Sequence, residues 1–134
     1  MKITFTVDGI PEPKRRPRFA RRDRRVVTYT TRDDKRHENR IARAYITAAG
    51  KLPPTTGAIT LTVEAIFTHP KSWSRRKRET MLHKTSRPDI DNLAKSVLDG
   101  LNGVAYVDDA QIIRLITGKI FGERNETVIS IERI

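Results

Sequence analysis

Ala58-Ile59-Thr60-Leu61-Thr62-Val63-Glu64-Ala65-Ile66-Phe67-Thr68 is the stretch that sets the fold class. Ile59, Leu61, Val63, Ala65 and Phe67 fall on one side of an extended chain, and Thr60, Thr62 and Glu64 on the other. Side chains alternate across a strand, so this pattern predicts a strand with one face on a core. Upstream, Lys2 to Val7 alternates in the same way, with Ile3, Phe5 and Val7 together. Val26 to Thr30, rich in β-branched and aromatic residues, reads as a short strand. Downstream, Gln111 to Phe121 and Glu126 to Ile131 read as two more, joined by a hairpin turn from Gly122 to Asn125.

Two segments carry helical spacing instead. Arg32 to Ala49 puts Ile41, Ala44, Tyr45 and Ala48 near one stripe, and Gly50 with Pro53-Pro54 ends it. Asp91 to Leu101 has Leu93, Val97, Leu98 and Leu101 on one stripe, and Asn102-Gly103 closes it. The spacing of Pro11, Pro13 and Pro17 predicts an extended loop rather than a helix or a central strand. A short helix begins near Ser74. The element order implies an α/β (α+β) fold: one small domain over residues 1–134, a mixed β-sheet with helices packed on it. Strand directions stay open.

The 134 residues include no cysteine, which excludes disulfides and thiolate metal sites and fits a reducing cytoplasm. No apolar run approaches the length of a signal or membrane segment, so a soluble, cytoplasmic protein with no membrane partner is expected. Lys and Arg number 27 against 16 Asp and Glu, a net charge of +11. Such an excess favours a polyanionic partner, and nucleic acid is the usual one.

The bases are clustered. Eight lie between Pro11 and Arg25, and seven between Lys71 and Arg87, together 15 of the 27. Lys14, Arg15, Arg16, Arg18, Arg21 and Arg22 from the first cluster, and Arg75, Arg76, Lys77 and Arg87 from the second, are the candidate DNA contacts. Phe19, Tyr29 and Trp73 are candidates either for stacking on unpaired bases or for packing. Between Pro88 and Ile113 the sign reverses: Asp89, Asp91, Asp99, Asp108 and Asp109 face one base, Lys95. A phosphate-binding protein has no electrostatic reason to gather carboxylates unless a cation offsets them, and Mg²⁺ prefers such hard oxygen donors.

Asp89 and Asp91 stand two apart at the entrance of a helix, and Lys95 lies one turn beyond Asp91 on the same face. The same residues also suit an N-cap and an i,i+4 ion pair. Asp108 and Asp109 are flanked by apolar Val107, Ile112 and Ile113, so they sit at the edge of a core, where charge needs a partner. His37, His69 and His83 have no metal-ligand spacing.

The run Pro88-Asp89-Ile90-Asp91-Asn92-Leu93-Ala94-Lys95-Ser96-Val97-Leu98-Asp99-Gly100-Leu101-Asn102-Gly103, followed by Val107-Asp108-Asp109-Ala110-Gln111-Ile112, closely resembles the RusA family of Holliday-junction resolvases. The shared pattern is D-x-D-N-L-x-K, an apolar helix, then D-D-x-Q. Pro13-Lys14-x-x-Pro17-Arg18 and Thr28-Tyr29-Thr30 resemble the family more loosely. The resemblance implies a Mg²⁺-dependent homodimer that cuts branched DNA, a four-way junction, symmetrically. It carries metal binding and catalysis onto Asp89, Asp91 and Asp109, assistance onto Asp108, and the role of catalytic lysine onto Lys95. The chain departs from the pattern at Arg87-Pro88, where other members carry a base directly before the first Asp. Two other readings stand beside this one: a non-catalytic basic DNA-binding module, and a basic scaffold of a nucleoprotein particle.

Overall fold

In the computed structural model, residues 1–15 and 32–134 are described together with the backbone of 18–22 and 25–29. The strands are β1 (Lys2–Asp8), β2 (Arg18–Arg22), β3 (Arg25–Tyr29), β4 (Ile59–Thr68), β5 (Ile112–Gly122) and β6 (Glu126–Arg133). The helices are α1 (Arg32–Ala49), α2 (Arg75–Thr80) and α3 (Ile90–Leu101), and a 3₁₀ turn at Asp109–Gln111 precedes β5. The expected strands and helices are present, and the fold is α+β with a mixed sheet.

The main sheet has the order β1-β6-β4-β5. β6 runs antiparallel to both β1 and β4, whereas β5 runs parallel to β4. Parallel neighbours need a crossover, and α3 supplies it between β4 and β5. The register aligns apolar residues in rows: Ile3, Ile131, Leu61 and Leu115 form one, and Phe5, Ile129 and Val63 the next, ending on Thr117. The five β4 residues predicted to face a core are all buried. α1 and α3 cover this face with Ile41, Tyr45, Val97 and Leu101. At about 25 cal/mol per Å² of apolar surface removed from water, these rows are the main source of stability.

Three expectations are corrected. Gly122 to Asn125 is not a hairpin turn: β5 and β6 lie on opposite sides of β4 and pair with it, not with one another. The first basic cluster is not loop throughout: Arg18–Arg22 pairs antiparallel with Arg25–Tyr29 as a two-stranded ribbon. Proline spacing excludes regular structure only around Pro11, Pro13 and Pro17, and the run after Pro17 is free to extend and pair. On α1, Ala48 is exposed, and the buried stripe is Asp34, His37, Ile41 and Tyr45. The two polar members face the N-terminal segment, so apolar spacing alone did not reveal them. His37 Nδ1 stands 3.3 Å from Glu12 Oε2. Burial, opposed by Glu12, lowers the His37 pKa.

Candidate active site

α3 sets the first half of the site. Asp89 occupies its N-cap position with extended backbone (φ −71°, ψ 142°), yet its side chain accepts no capping hydrogen bond. A capping aspartate normally accepts from the first turn, so this carboxylate keeps its oxygens for another partner. Asp91 lies in the first turn, exposed, and accepts from the Asn92 amide at 2.9 Å. Lys95 does not pair with Asp91 as the i,i+4 spacing suggested. It leans the other way, 3.9 Å from Asp99. Asp91 therefore stays clear of an ion pair among the described residues.

The 3₁₀ turn sets the second half. Asp108 and Gln111 form a capping box, with the Asp108 amide donating to Gln111 Oε1 at 2.9 Å. Gln111 Nε2 in turn donates to the Thr55 and Gly57 carbonyls, 3.0 Å each. The Gln of the D-D-x-Q pattern thus fixes the turn that presents the two acids. A hydrogen bond to the Asp108 carboxyl, then burial and the charges of Asp108 and Asp99, raise the Asp109 pKa. Lys95 acts in the opposite direction, so its ammonium lies within electrostatic reach of Asp109.

Sequence reasoning missed three supports. Lys119 donates to the Ser86 carbonyl at 2.9 Å and to the Pro88 carbonyl at 2.8 Å, pinning the chain immediately before Asp89. Its signal emerges only with the register: Lys119 shares a β5 face with Leu115 and Phe121, and a charge on a core-facing position needs a partner. Lys14 is the second. Its ammonium binds Glu38 at 2.5 Å and Asp99 at 3.2 Å, and its side chain is only 13% exposed. Burial lowers its pKa, but the hydrogen bonds to Glu38 and Asp99 outweigh that and leave it raised. Lys14, expected on DNA, is turned inward because two carboxylates from α1 and α3 need its charge. Ser96 is the third, donating to the Glu12 carbonyl at 2.9 Å and tying the N-terminal segment to α3.

Arg15, Arg87, Pro13, Lys14, Pro88, Asn92 and Asp89 line an open groove of about 680 Å³. Asp89 is therefore a carboxylate on the wall of a groove that also carries two exposed arginines. Arg75, Arg76 and Lys77 lie on α2, exposed, with Arg75 paired to Glu79 at 3.1 Å and Lys77 over the Trp73 ring at 4.3 Å. Trp73 packs edge-on to Phe121 at 5.3 Å, which makes it a packing residue rather than a free stacking platform. Arg16 and the side chains of Arg18, Phe19, Arg21, Arg22 and Tyr29 lie outside the described residues.

The donor set suits a hard divalent cation by chemistry. Asp89 is uncapped, Asp91 has no ion pair among the described residues, and Asp108 beside Asp109 raises the Asp109 pKa. Among the described residues no three of these side chains converge tightly enough to enclose an ion. Mg²⁺ commonly takes one or two carboxylates and completes its shell with waters and substrate phosphate, so the residues fit it as an open site. None of the described helices is long and apolar enough to cross a membrane.

Comparison with known proteins bears on the same residues. The family model described as endodeoxyribonuclease RusA matches residues 8–132. A Bacillus subtilis (strain 168) protein named "Uncharacterized protein YqaN" is 31% identical over 140 aligned positions, covering 98% of this chain and 96% of that protein. The "Crossover junction endodeoxyribonuclease rusA" of Lactococcus phage r1t is 38% identical over 61 positions, covering 45% of this chain and 47% of the phage protein.

Proposed function

The chain belongs to the RusA family of endodeoxyribonucleases, and from that premise we propose that it resolves four-way DNA junctions by paired symmetric nicks as a Mg²⁺-dependent homodimer. The observation that carries this reading is the position of Asp89. An uncapped carboxylate lies on a groove wall beside Arg15 and Arg87, six residues before Lys95. Carboxylates repel phosphate, and they are useful in a phosphate groove only where a cation reverses their effect.

Asp89, Asp91 and Asp109, with Asp108 beside them, are the carboxylates that would hold the ion, one or two directly and the others through its waters. When bound, it supplies Lewis acidity and charge neutralisation at the scissile phosphodiester. The chain's own residues do the rest. Arg15 and Arg87 hold the backbone in the groove, and Arg16, Arg18, Arg21, Arg22, Arg75, Arg76 and Lys77 extend the basic surface for flanking phosphates. Lys95, 62% exposed at its side chain, balances charge that builds on the phosphate during attack. Asp99 restrains Lys95 and is itself held by Lys14, so the lysine meets the substrate partly preorganised. Lys119 and Gln111 position the two acidic segments without touching substrate.

The test is a nicking assay on a synthetic four-way junction and on linear duplex, with Mg²⁺ or EDTA. Paired nicks at symmetry-related positions of the junction are expected with metal and not without it. The Asp91→Asn variant should bind the junction and cut at least about 10²–10³-fold more slowly. Undiminished cutting by that variant would remove Asp91 from the metal site and sink the mechanism.

A further inference from the structure

α1 carries two chemically different faces. Its acids Asp33 and Glu38 turn to the N-terminal segment, where they hold Arg15 and Lys14, and Asp34 is buried beside them. Its bases lie elsewhere. Arg32, Lys35, Arg36, Arg40 and Arg43 are all exposed and, with Asn39, line one shallow groove of about 340 Å³. Steps of three and four residues put them on one face over three turns. Arg40 donates to the Asp8 carbonyl. Arg32, Lys35, Arg36 and Arg43 make no ion pair among the described residues.

This arrangement is unfavourable for the helix alone. Like charges three and four residues apart repel. Bases in the first turns also oppose the helix dipole, which favours negative charge at that end. Both costs vanish when a polyanion lies along the face. The ladder from Arg32 to Arg43 is about 16 Å long at about 1.5 Å per residue, close to the rise of about five phosphates on one DNA strand. Its N-terminal end adjoins the Asp89 groove, because Asp33 is ion-paired at 3.1 Å to Arg15, which lines that groove.

We propose that the exposed basic face of α1 is a second DNA-backbone site, distinct from the carboxylate groove, that binds a duplex arm where it leaves the point of scission. The identity of the polyanion rests on the junction-cutting reading; the site itself rests on the segregation of charge along α1. It serves shape and phosphate recognition rather than base readout, since the face offers arginines and lysines with only Asn39 between them.

Two measurements, both in EDTA so that nothing is cut, test it. The chain has no cysteine, so Asn39→Cys gives a single attachment point for a photo-crosslinker. On a four-way junction it should crosslink to arm backbone several base pairs from the branch point. The triple variant Lys35→Gln, Arg36→Gln, Arg43→Gln should lower the slope of log affinity against log salt by about 3, at about 0.9 per phosphate contact. Its affinity should fall about 10–100-fold near 0.15 M salt, while Arg36→Lys with Arg43→Lys keeps the native slope. An unchanged slope without an arm crosslink overturns the proposal. A crosslink to RNA or to anionic vesicles in preference to the junction overturns it in favour of that partner. If the native protein makes no Mg²⁺-dependent nicks in the separate junction assay while the crosslink in EDTA is intact, the nuclease mechanism fails and this site stands.

Discussion

Lys119 shows how a residue outside the acidic motif governs it. Its ammonium crosses from β5 to two successive-but-one carbonyls, Ser86 and Pro88, and so fixes where α3 begins. Asp89 follows immediately, and a displacement of even 1 Å misplaces a reacting group. Lys119→Met should therefore lower kcat about 10–100-fold, the size typical of lost outer-shell support, with little change in KM for the junction. Lys119→Arg should restore part of the rate. A lower melting temperature with unchanged kcat would make Lys119 a stabilising residue only. The signal for it was a lysine on a core-facing strand position, legible only once the register of β5 against β4 is known.

At the scale of elements, α1 and α3 pack closely. A Cβ added at Gly100 would stand 3.1 Å from Ile41 Cβ and 3.2 Å from the Glu38 carbonyl oxygen, so no larger residue fits there unshifted. Glu38 of α1 and Asp99 of α3 are thus brought together, and Lys14 neutralises both. Removing one partner of a part-buried ion cluster leaves the other charges uncompensated. Lys14→Met should cost about 2 kcal/mol of stability in denaturant unfolding, less than the 3–5 kcal/mol of a fully buried pair. The salt slope of DNA binding should stay as it is. A slope lower by about 1 with unchanged stability would return Lys14 to the phosphate contacts expected from its sequence neighbourhood. Three facing elements make this cluster, and nothing in a local basic run distinguishes the lysine that turns inward.

For the whole molecule, the proposed homodimer would use the outer edge of β5. Backbone hydrogen bonds from Lys84 to the Lys119 carbonyl and from Phe121 to the Leu82 carbonyl cover the far half of that edge. The near half, among the described residues, stays open and carries Ile113, 63% exposed, and Ile116, 52% exposed. An open apolar strand edge invites pairing with another copy, and two coordinated nicks need two sites related by a two-fold axis. Sedimentation should give about twice the 15.4 kDa chain mass. Ile113→Lys with Ile116→Lys should shift it to the monomer and replace paired nicks by single ones. A native monomer would exclude the paired mechanism, and an intact dimer in the variant would place the interface elsewhere.

Periodicity and composition were enough to determine every strand and helix but β2, because alternation and helical stripes are written in neighbouring residues: β4 and α3 follow from their own side chains. The acidic motif was equally local, as were the two basic clusters. What the sequence left open depends on contacts between segments far apart in the chain. The parallel pairing of β4 with β5, the inward turn of Lys14, the Lys119 clamp and the role of Gln111 each join residues tens of positions apart. No local pattern encodes such a contact, since it is chosen by which elements the shared core packs together, and the charges then settle among the partners the core has placed within reach.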